Sequence, residues 1–174
     1  GLGEGDEIIL QPFTCIAVVA PIIWSNAKPI YVDIEKNTFN MDLNLLKKRV
    51  TKKTRLIIAQ HTFGNLLDME ALRDIVNGEN QKRKESERIY ILEDCAHLFP
   101  SDFEDIGKYS DFSLFSFAQD KAISCTQGSM LHIPDDEVLK GMREEHRTLK
   151  QNSRKESMYN AKYILYWEYI KRFY

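Results

Sequence analysis

The chain has 174 residues and a formal net charge of −2, with 24 Lys and Arg residues against 26 Asp and Glu residues. Its composition, 43% hydrophobic and 29% charged, is that of an ordinary soluble globular protein of about one domain. The near-neutral charge gives no electrostatic reason to expect nucleic acid or an anionic membrane as a partner. No apolar run approaches the ~20 residues that a membrane-spanning helix needs, so we expect no membrane span.

The three cysteines, Cys15, Cys95 and Cys125, are isolated from one another and form no CxxC pair. This spacing is not that of a disulfide framework, so we expect reduced thiols and a cytoplasmic protein. The sequence begins with Gly and opens in the turn-like stretch GLGEGDE. We therefore expect it to be an internal piece of a longer protein.

Short apolar or β-branched runs alternate with helical stretches along the chain. Strands are predicted at 7–10, 29–32, 55–60, 88–92 and 112–117. Helices are predicted at 14–25, 42–50 and 68–77, with Thr14, Asp42 and Asp68 as their N-caps. Such alternation is typical of a parallel sheet covered by helices. The expected fold class is α/β, with three layers: a mostly parallel sheet and helices on both of its faces.

Three further segments have a different character. Residues 78–88 read GENQKRKESER and are predicted to be a solvated loop, because glutamates interleave with the basic residues. Residues 134–151 are predicted to form a polar helix capped by Asp135 or Asp136. Residues 157–174 are rich in aromatics at spacings of three and four, which favours a helix packing on a further part of the protein; a membrane surface is the weaker alternative. We divide the chain into a cofactor-domain portion, 1–134, and a helical segment, 135–174, leading toward a small domain.

Polar residues follow three of the predicted strands. LIIAQHTFG supplies Gln60 and His61, YILEDCAH supplies Asp94, and LFSFAQDK supplies Ser116 and Lys121. Each alone has a structural explanation, such as a helix cap or a hydrogen-bonded core histidine. Ligands of parallel α/β sheets bind beyond the carboxyl ends of the strands, so an acid, a hydroxyl and an amine there indicate a site.

An ordered series of motifs carries a family resemblance. The stretch GEGDEIILQPFTCIAVVAPIIWSNAKPIYVDIEKNTFNMD is followed by QHTFGNLLDMEAL, ILEDCAH and DFSLFSFAQDK. The series resembles the DegT/StrS family of pyridoxal-phosphate-dependent sugar aminotransferases, whose members read GxGDEVI, GAKPVFVDID, VHLYGQPADMDAI, IEDAAQ and DIGCFSFYPTK. The resemblance spans residues 1 to about 133. It implies the large domain of a fold type I transferase, with pyridoxal 5'-phosphate as cofactor.

The resemblance also implies roles for individual residues. Lys121 matches the lysine that binds the cofactor covalently; its apolar neighbours suit an amine that must be partly removed from water. Asp94 matches the acid paired with the pyridinium nitrogen, and Ser116 the serine that hydrogen-bonds the phosphate. His97 lies where the family commonly has Gln beside the phenolic oxygen. Cys15 takes the position at which several members carry an aromatic residue that stacks on the ring.

The implied reaction is amino transfer from glutamate to a nucleotide-linked keto-deoxysugar by a homodimer. Gln60 and His61 are expected to contact the substrate. A dehydratase branch of the family has histidine in place of the lysine, and Lys121 argues against that branch.

One alternative remains open: the chain is a truncated or degenerate copy of the same fold, with a regulatory or assembly role and no catalytic activity. A metal hydrolase built on His61, Asp94, Cys95 and His97 lacks any recognisable ligand spacing, so no metal site is expected.

Overall fold

A six-stranded sheet forms the centre of the part of the chain that the computed structural model describes, which is residues 1–98, 105–118, 120–121, 123–125, 127–149, 153–159 and 162. The strands are β1 (Glu7–Leu10), β2 (Lys28–Tyr31), β3 (Thr54–Gln60), β4 (Tyr90–Asp94), β5 (Phe112–Ser116) and β6 (Ser129–His132). Their order is β2-β1-β3-β4-β5-β6; the first five are mutually parallel, and β6 pairs with β5 antiparallel. The predicted mostly parallel sheet is confirmed.

One strand is displaced from its predicted bounds in a way that matters for function. The sequence predicts a strand at 88–92, whereas β4 begins at Tyr90 and continues to Asp94. The ladder to β3 runs to its last residue, with Gln60 opposite Asp94. Glu93 and Asp94, the polar residues at the end of β4, are therefore part of the sheet and pair with β3 through their backbones.

The helices are α1 (Ile16–Trp24), α2 (Leu43–Arg49), α3 (Met69–Asn80) and α4 (Asp136–Thr148). Asp42, Asp68 and Asp135 each accept backbone N–H groups from the first turn of the helix that follows, so these predicted caps are confirmed. Thr14 is wrong as a cap. The N-cap of α1 is Cys15, which makes no side-chain cap hydrogen bond. The Thr14 hydroxyl is turned toward the sheet, where it donates to Oε1 of Gln60 at 2.6 Å.

Two apolar clusters on opposite faces of the sheet make the three layers. Successive strand residues point to opposite faces, so the central strands β1 and β3 contribute to both clusters. On one face α1 packs on β1 and β3, through Ile22, Ile8, Leu10 and Ile58. On the other face α2 and α3 pack on the sheet, through Leu46, Leu72, Val76, Ile9, Ile57 and Ile91. The predicted covering of both faces is confirmed.

The predicted solvated loop at 78–88 is wrong in part. Its first three residues complete α3, and Glu85–Glu87 form a 3₁₀ turn. Both side-chain amide atoms of Asn80 bond to the backbone of Ile89, at 2.8 and 3.0 Å. Arg83 donates to the carbonyl of Thr51 at 2.6 Å. The segment is fastened to the start of the sheet by hydrogen bonds that its charge pattern did not indicate.

The predicted polar helix after residue 134 is present as α4, and none of its residues is buried. Of the aromatic stretch at 157–174, the described residues include only 157–159 and 162, so the predicted packing of its aromatic face lies outside them. Within the described part of the chain, no helix has both the length and the apolar character needed to cross a bilayer. The division at residue 134 stays a prediction.

Candidate functional site

The carboxyl ends of β3, β4 and β5 lie side by side at one edge of the sheet. Gln60 pairs with Asp94 across the β3–β4 ladder, and Asp94 pairs with Leu114 across the β4–β5 ladder. Ser116 follows two residues later as the last residue of β5. The register thus brings the acid and the hydroxyl singled out in the sequence to one edge.

Lys121 lies five residues beyond that edge, in a small recess. The recess is lined by Ala96, Leu98, Phe115, Ser116, Phe117, Lys121 and Ile123. The lysine side chain is 18% exposed, and its Nζ lies 3.5 Å from Oδ2 of Asp120. Because Asp120 is itself 70% exposed, this ion pair is weak and leaves the amine available. The recess holds little more than a water molecule, so it isolates the amine and does not enclose a ring.

Asp94 presents a buried carboxylate next to this recess. Its Oδ1 accepts the backbone N–H of Ala96 at 3.0 Å, and Ala96 also lines the recess. The carboxylate is thereby oriented by the turn that leaves β4. Buried in this way, its charge acts on a neighbouring group more strongly than it would in water.

His97, three residues after Asp94, is exposed at the same edge. Its Nδ1 accepts the backbone N–H of Phe63 at 3.1 Å. The imidazole also stacks on the Phe63 ring, with centroids 5.9 Å apart and planes 4° from parallel. The side chain therefore has a defined orientation despite its exposure.

Cys15 is exposed on the loop that follows β1. In the sheet, β3 lies between β1 and β4. The preceding residue, Thr14, is hydrogen-bonded to Gln60, whose register partner is Asp94. The loop of Cys15 is thus connected to the end of β3 by two hydrogen bonds of Gln60, one with the Thr14 hydroxyl and one to the Phe13 carbonyl. Its contact with a cofactor ring stays a prediction.

Gln60 and His61 are buried, and protein groups occupy their polar atoms. Gln60 accepts from Thr14 and donates through Nε2 to Oγ1 of Thr62 at 3.0 Å. The His61 ring accepts the Leu67 N–H at Nδ1, 3.0 Å, and its Nε2 lies 2.9 Å from Oε1 of Glu93. This geometry favours the structural explanation for both residues over substrate contact.

Glu93 is buried at the centre of a hydrogen-bond network, a role that the sequence analysis did not predict. Its Oε2 accepts from the Gly107 amide at 2.9 Å, and from the hydroxyls of Ser110 and Ser113 at 2.9 and 3.0 Å. Burial alone would raise the pKa of Glu93, but the hydrogen bonds from His61, Ser110 and Gly107 hold that pKa below its usual value. The alternation of strand residues could have indicated this role, because it places Glu93 and Asp94 on opposite faces of β4 and so gives the two carboxylates different surroundings.

Three phenylalanines form a second feature without a sequence signal. Phe13, Phe39 and Phe63 follow β1, β2 and β3, and their ring centroids lie 5.7 to 6.1 Å apart. All three rings are exposed. Phe39 and Phe63 have φ values of 60° and 55°, a conformation uncommon for bulky side chains. We call these three residues the phenylalanine cluster.

The described residues contain one group of potential metal ligands, His61, Glu93 and Cys95, with ligand atoms within 4.8 Å of one another. The first two already bond to each other. Burial, helped by the negative charges of Glu93 and Asp94, raises the pKa of the Cys95 thiol, so it stays protonated and is a poor ligand. The group is better suited to holding the fold together than to holding an ion.

Comparison with known proteins identifies relatives over most of the chain. Residues 1–165 match the model of the DegT/DnrJ/EryC1/StrS aminotransferase family. The chain is 33% identical to GDP-perosamine synthase of Escherichia coli O157:H7, over 80% of this chain and 36% of that protein. It is 30% identical to the pleiotropic regulatory protein of Geobacillus stearothermophilus, over 92% of this chain and 45% of that protein.

Solved structures share the fold. The putative sugar aminotransferase Spr1654 from Streptococcus pneumoniae, in its PMP form, superposes with a TM-score of 0.74 at 29% identity, over 84% of this chain and 40% of that one. The present chain spans between about a third and a half of the length of these relatives.

Proposed function

Because this chain belongs to the DegT/DnrJ/EryC1/StrS aminotransferase family, we propose that it forms the cofactor-anchoring centre of a pyridoxal-phosphate-dependent sugar aminotransferase. Glutamate is the proposed amino donor, and a nucleotide-linked keto-deoxysugar is the proposed acceptor. One observation carries the proposal. The carboxylate of Asp94, the hydroxyl of Ser116 and the amine of Lys121 gather around the carboxyl ends of two adjacent parallel strands.

The donor set fits the cofactor group by group. Lys121 offers an amine to the aldehyde, and Asp94 offers a buried carboxylate to the ring nitrogen. Ser116 offers a half-buried hydroxyl to a phosphate oxygen. His97 offers its Nε2 to the phenolic oxygen, since its Nδ1 is already occupied by the Phe63 amide. Cys15 is proposed to lie against the ring face.

Bound pyridoxal phosphate supplies an electron sink that allows an amino group to pass from donor to acceptor. The chain's own residues do the rest. The Asp94 carboxylate would hold a proton on the ring nitrogen, and its burial would strengthen that interaction. Once released from the cofactor by the incoming amino donor, Nζ of Lys121 would be free to act as a general base toward the α-carbon proton of that donor. The apolar side chains of Leu98, Phe115 and Ile123 limit the access of water to that amine.

A homodimer is the proposed assembly. The outer face of α1 leaves Ile16, Ile23 and Trp24 exposed, with Trp24 at 80%. An apolar face of this kind is typical of a surface that another protein surface covers. A cytoplasmic location is proposed because Cys15, Cys95 and Cys125 are all free thiols.

A regulatory role without catalysis is the second candidate. The observation in its favour is the match to a relative named as a pleiotropic regulatory protein, which covers 92% of this chain. This alternative keeps the fold and predicts that the edge around Lys121 does not react with the cofactor.

An absorbance spectrum of the full-length protein with pyridoxal phosphate separates the two. The catalytic proposal predicts a visible band in the wild type that glutamate bleaches and that Lys121→Ala lacks. Borohydride should abolish the band by reducing the carbon–nitrogen bond, and should leave the cofactor covalently attached to Lys121. Lys108→Ala is the matched control, because Lys108 is exposed in the β4–β5 connection and pairs only with Asp105 among the described acidic residues. A folded wild-type protein without the band would contradict the catalytic proposal and favour the regulatory one.

A further inference from the structure

Phe63 makes two independent contacts with one histidine. Its backbone N–H donates to Nδ1 of His97 at 3.1 Å, and its ring lies parallel to the imidazole with centroids 5.9 Å apart. The two residues are 34 positions apart in the chain. A backbone amide and a ring from the same residue therefore define both the hydrogen bonding and the plane of the imidazole.

The backbone of Phe63 is held in a left-handed conformation, with φ 55° and ψ 25°. Such a conformation costs a non-glycine residue about 1 kcal/mol or more and persists only where neighbouring contacts enforce it. The neighbouring contacts are present. The Thr62 amide donates to Oδ1 of Asn40 at 2.8 Å, and Thr62 Oγ1 donates to the Phe39 carbonyl at 3.0 Å.

A second buried side chain locks the same loops together. Nε2 of Gln11 lies within hydrogen-bond distance of the carbonyls of Phe13 and Phe39 and of Oγ1 of Thr62, at 2.9 to 3.1 Å. Gln11, Asn40 and Thr62 are buried, whereas the Phe63 ring that they support is 67% exposed. A ring this exposed contributes little to the core, so burial of apolar area does not explain why the loop is so closely held.

We propose that Phe63 is a positioning residue for His97. Its backbone N–H donates to Nδ1, so in a neutral imidazole the hydrogen lies on Nε2. The stacked ring fixes the direction in which that Nε2–H points. His97 is thereby set as a hydrogen-bond donor at the edge that carries Asp94. The other two rings of the phenylalanine cluster support Phe63, since Phe13 and Phe39 each make an edge-to-face contact with its ring.

The identity of the acceptor rests on the proposed function, under which Nε2–H of His97 meets the phenolic oxygen of the cofactor. The positioning itself does not, because it is a property of the protein without cofactor. The two can therefore fail separately.

The first test is the tautomer of His97 in the cofactor-free full-length protein, read from ¹⁵N–¹H correlations of the imidazole, with His97→Gln used to assign the signals. The wild type should show a single neutral form with hydrogen on Nε2. Phe63→Ala, which keeps an amide but removes the ring, should broaden or split these signals. Phe13→Ala removes a ring that contacts Phe63 and leaves the Phe63–His97 stack in place, so it should change these signals less than Phe63→Ala does. A wild-type ring with hydrogen on Nδ1, or no change in Phe63→Ala, would overturn the proposal.

The second test is affinity for pyridoxal phosphate, measured by equilibrium titration. Phe63→Ala should weaken binding about tenfold, the scale expected when one hydrogen bond to a charged group is lost. Phe63→Tyr, which keeps the stack, should restore affinity. In a His97→Gln background Phe63→Ala should have little further effect, because Gln has no tautomer to set. Equal losses in both backgrounds would show that Phe63 acts on the loop as a whole and not through His97. If the tautomer behaves as expected but no variant binds cofactor, the proposed function fails and the positioning stands.

Discussion

The imidazole of His61 and the carboxylate of Glu93 form a buried pair, with Nε2 2.9 Å from Oε1 and side chains only 1% and 3% exposed. The other Glu93 oxygen accepts from Gly107, Ser110 and Ser113. One carboxylate thus joins the end of β3 to the connection that precedes β5. Glu93 immediately precedes Asp94 in β4, so this pair holds the backbone that carries the proposed site residue.

Glu93→Gln should lower the free energy of unfolding by about 2–4 kcal/mol, because it removes the charge from a buried hydrogen-bonded cluster and leaves donors without a full set of acceptors. Urea denaturation followed by circular dichroism measures the change. Glu137→Gln is the control: Glu137 forms a surface pair with Lys140, and its loss should cost less than about 0.5 kcal/mol. Equal costs for the two variants would show that the buried pair is not a principal support of the fold.

The stabilisation from Glu93 should depend on pH. Its pKa in the native state lies below its usual value of 4.5, so the native state binds this proton less tightly than the unfolded state does. The contribution is therefore complete above the unfolded pKa and is lost as the pH falls through the native pKa. The difference in unfolding free energy between wild type and Glu93→Gln should be constant near neutrality and shrink below about pH 4.5. A difference that grows on acidification would contradict this sign.

The three thiols should react at very different rates. Cys15 and Cys125 are exposed, whereas Cys95 is buried and its pKa is raised by burial and by the neighbouring charges of Glu93 and Asp94. Titration of the native protein with a chromogenic disulfide should modify these two of the three cysteines quickly, and Cys95 only after unfolding in denaturant. Cys95→Ala should leave the fast phase unchanged, and a fast phase reduced by that substitution would show that Cys95 is accessible.

Much of the fold could be predicted because it is encoded in short segments. The buried strands read as apolar runs, and Asp42, Asp68 and Asp135 stand where a helix needs an acceptor for its first N–H groups. Thr14 carries the same local signal but caps nothing, because its hydroxyl finds Gln60, 46 residues away. Where a local cap and a distant hydrogen-bond partner require different orientations of one side chain, the sequence shows only the local possibility.

The candidate site likewise has a part that could be predicted from the sequence and a part that could not. Lys121, Asp94 and Ser116 could be proposed from motifs whose order along the chain is specific, and the sheet register then explains why they share an edge. The contact of Phe63 with His97 could not be predicted, since it requires a left-handed phenylalanine and a contact across two strand ends. Neither the composition nor the spacing around residue 63 indicates that backbone conformation.

The Thr14–Gln60 hydrogen bond offers a direct test of the corrected helix start. Thr14→Val keeps the shape of the side chain but removes the hydroxyl, leaving Oε1 of Gln60 without this 2.6 Å donor in a buried position. We expect a loss of about 1–2 kcal/mol in unfolding free energy, and Thr14→Ser should retain most of the stability.

The cause of that loss is decided by a double-mutant cycle with Gln60→Ala. If Thr14 acts through Gln60, the two substitutions should couple by about 0.5 kcal/mol or more, because each removes the same bond. If Thr14 instead capped α1, its loss would be the same in either background, and helix content near 222 nm would fall with it. Coupling without a change in helix content is the expected result, since α1 already begins at Ile16 with no side-chain cap.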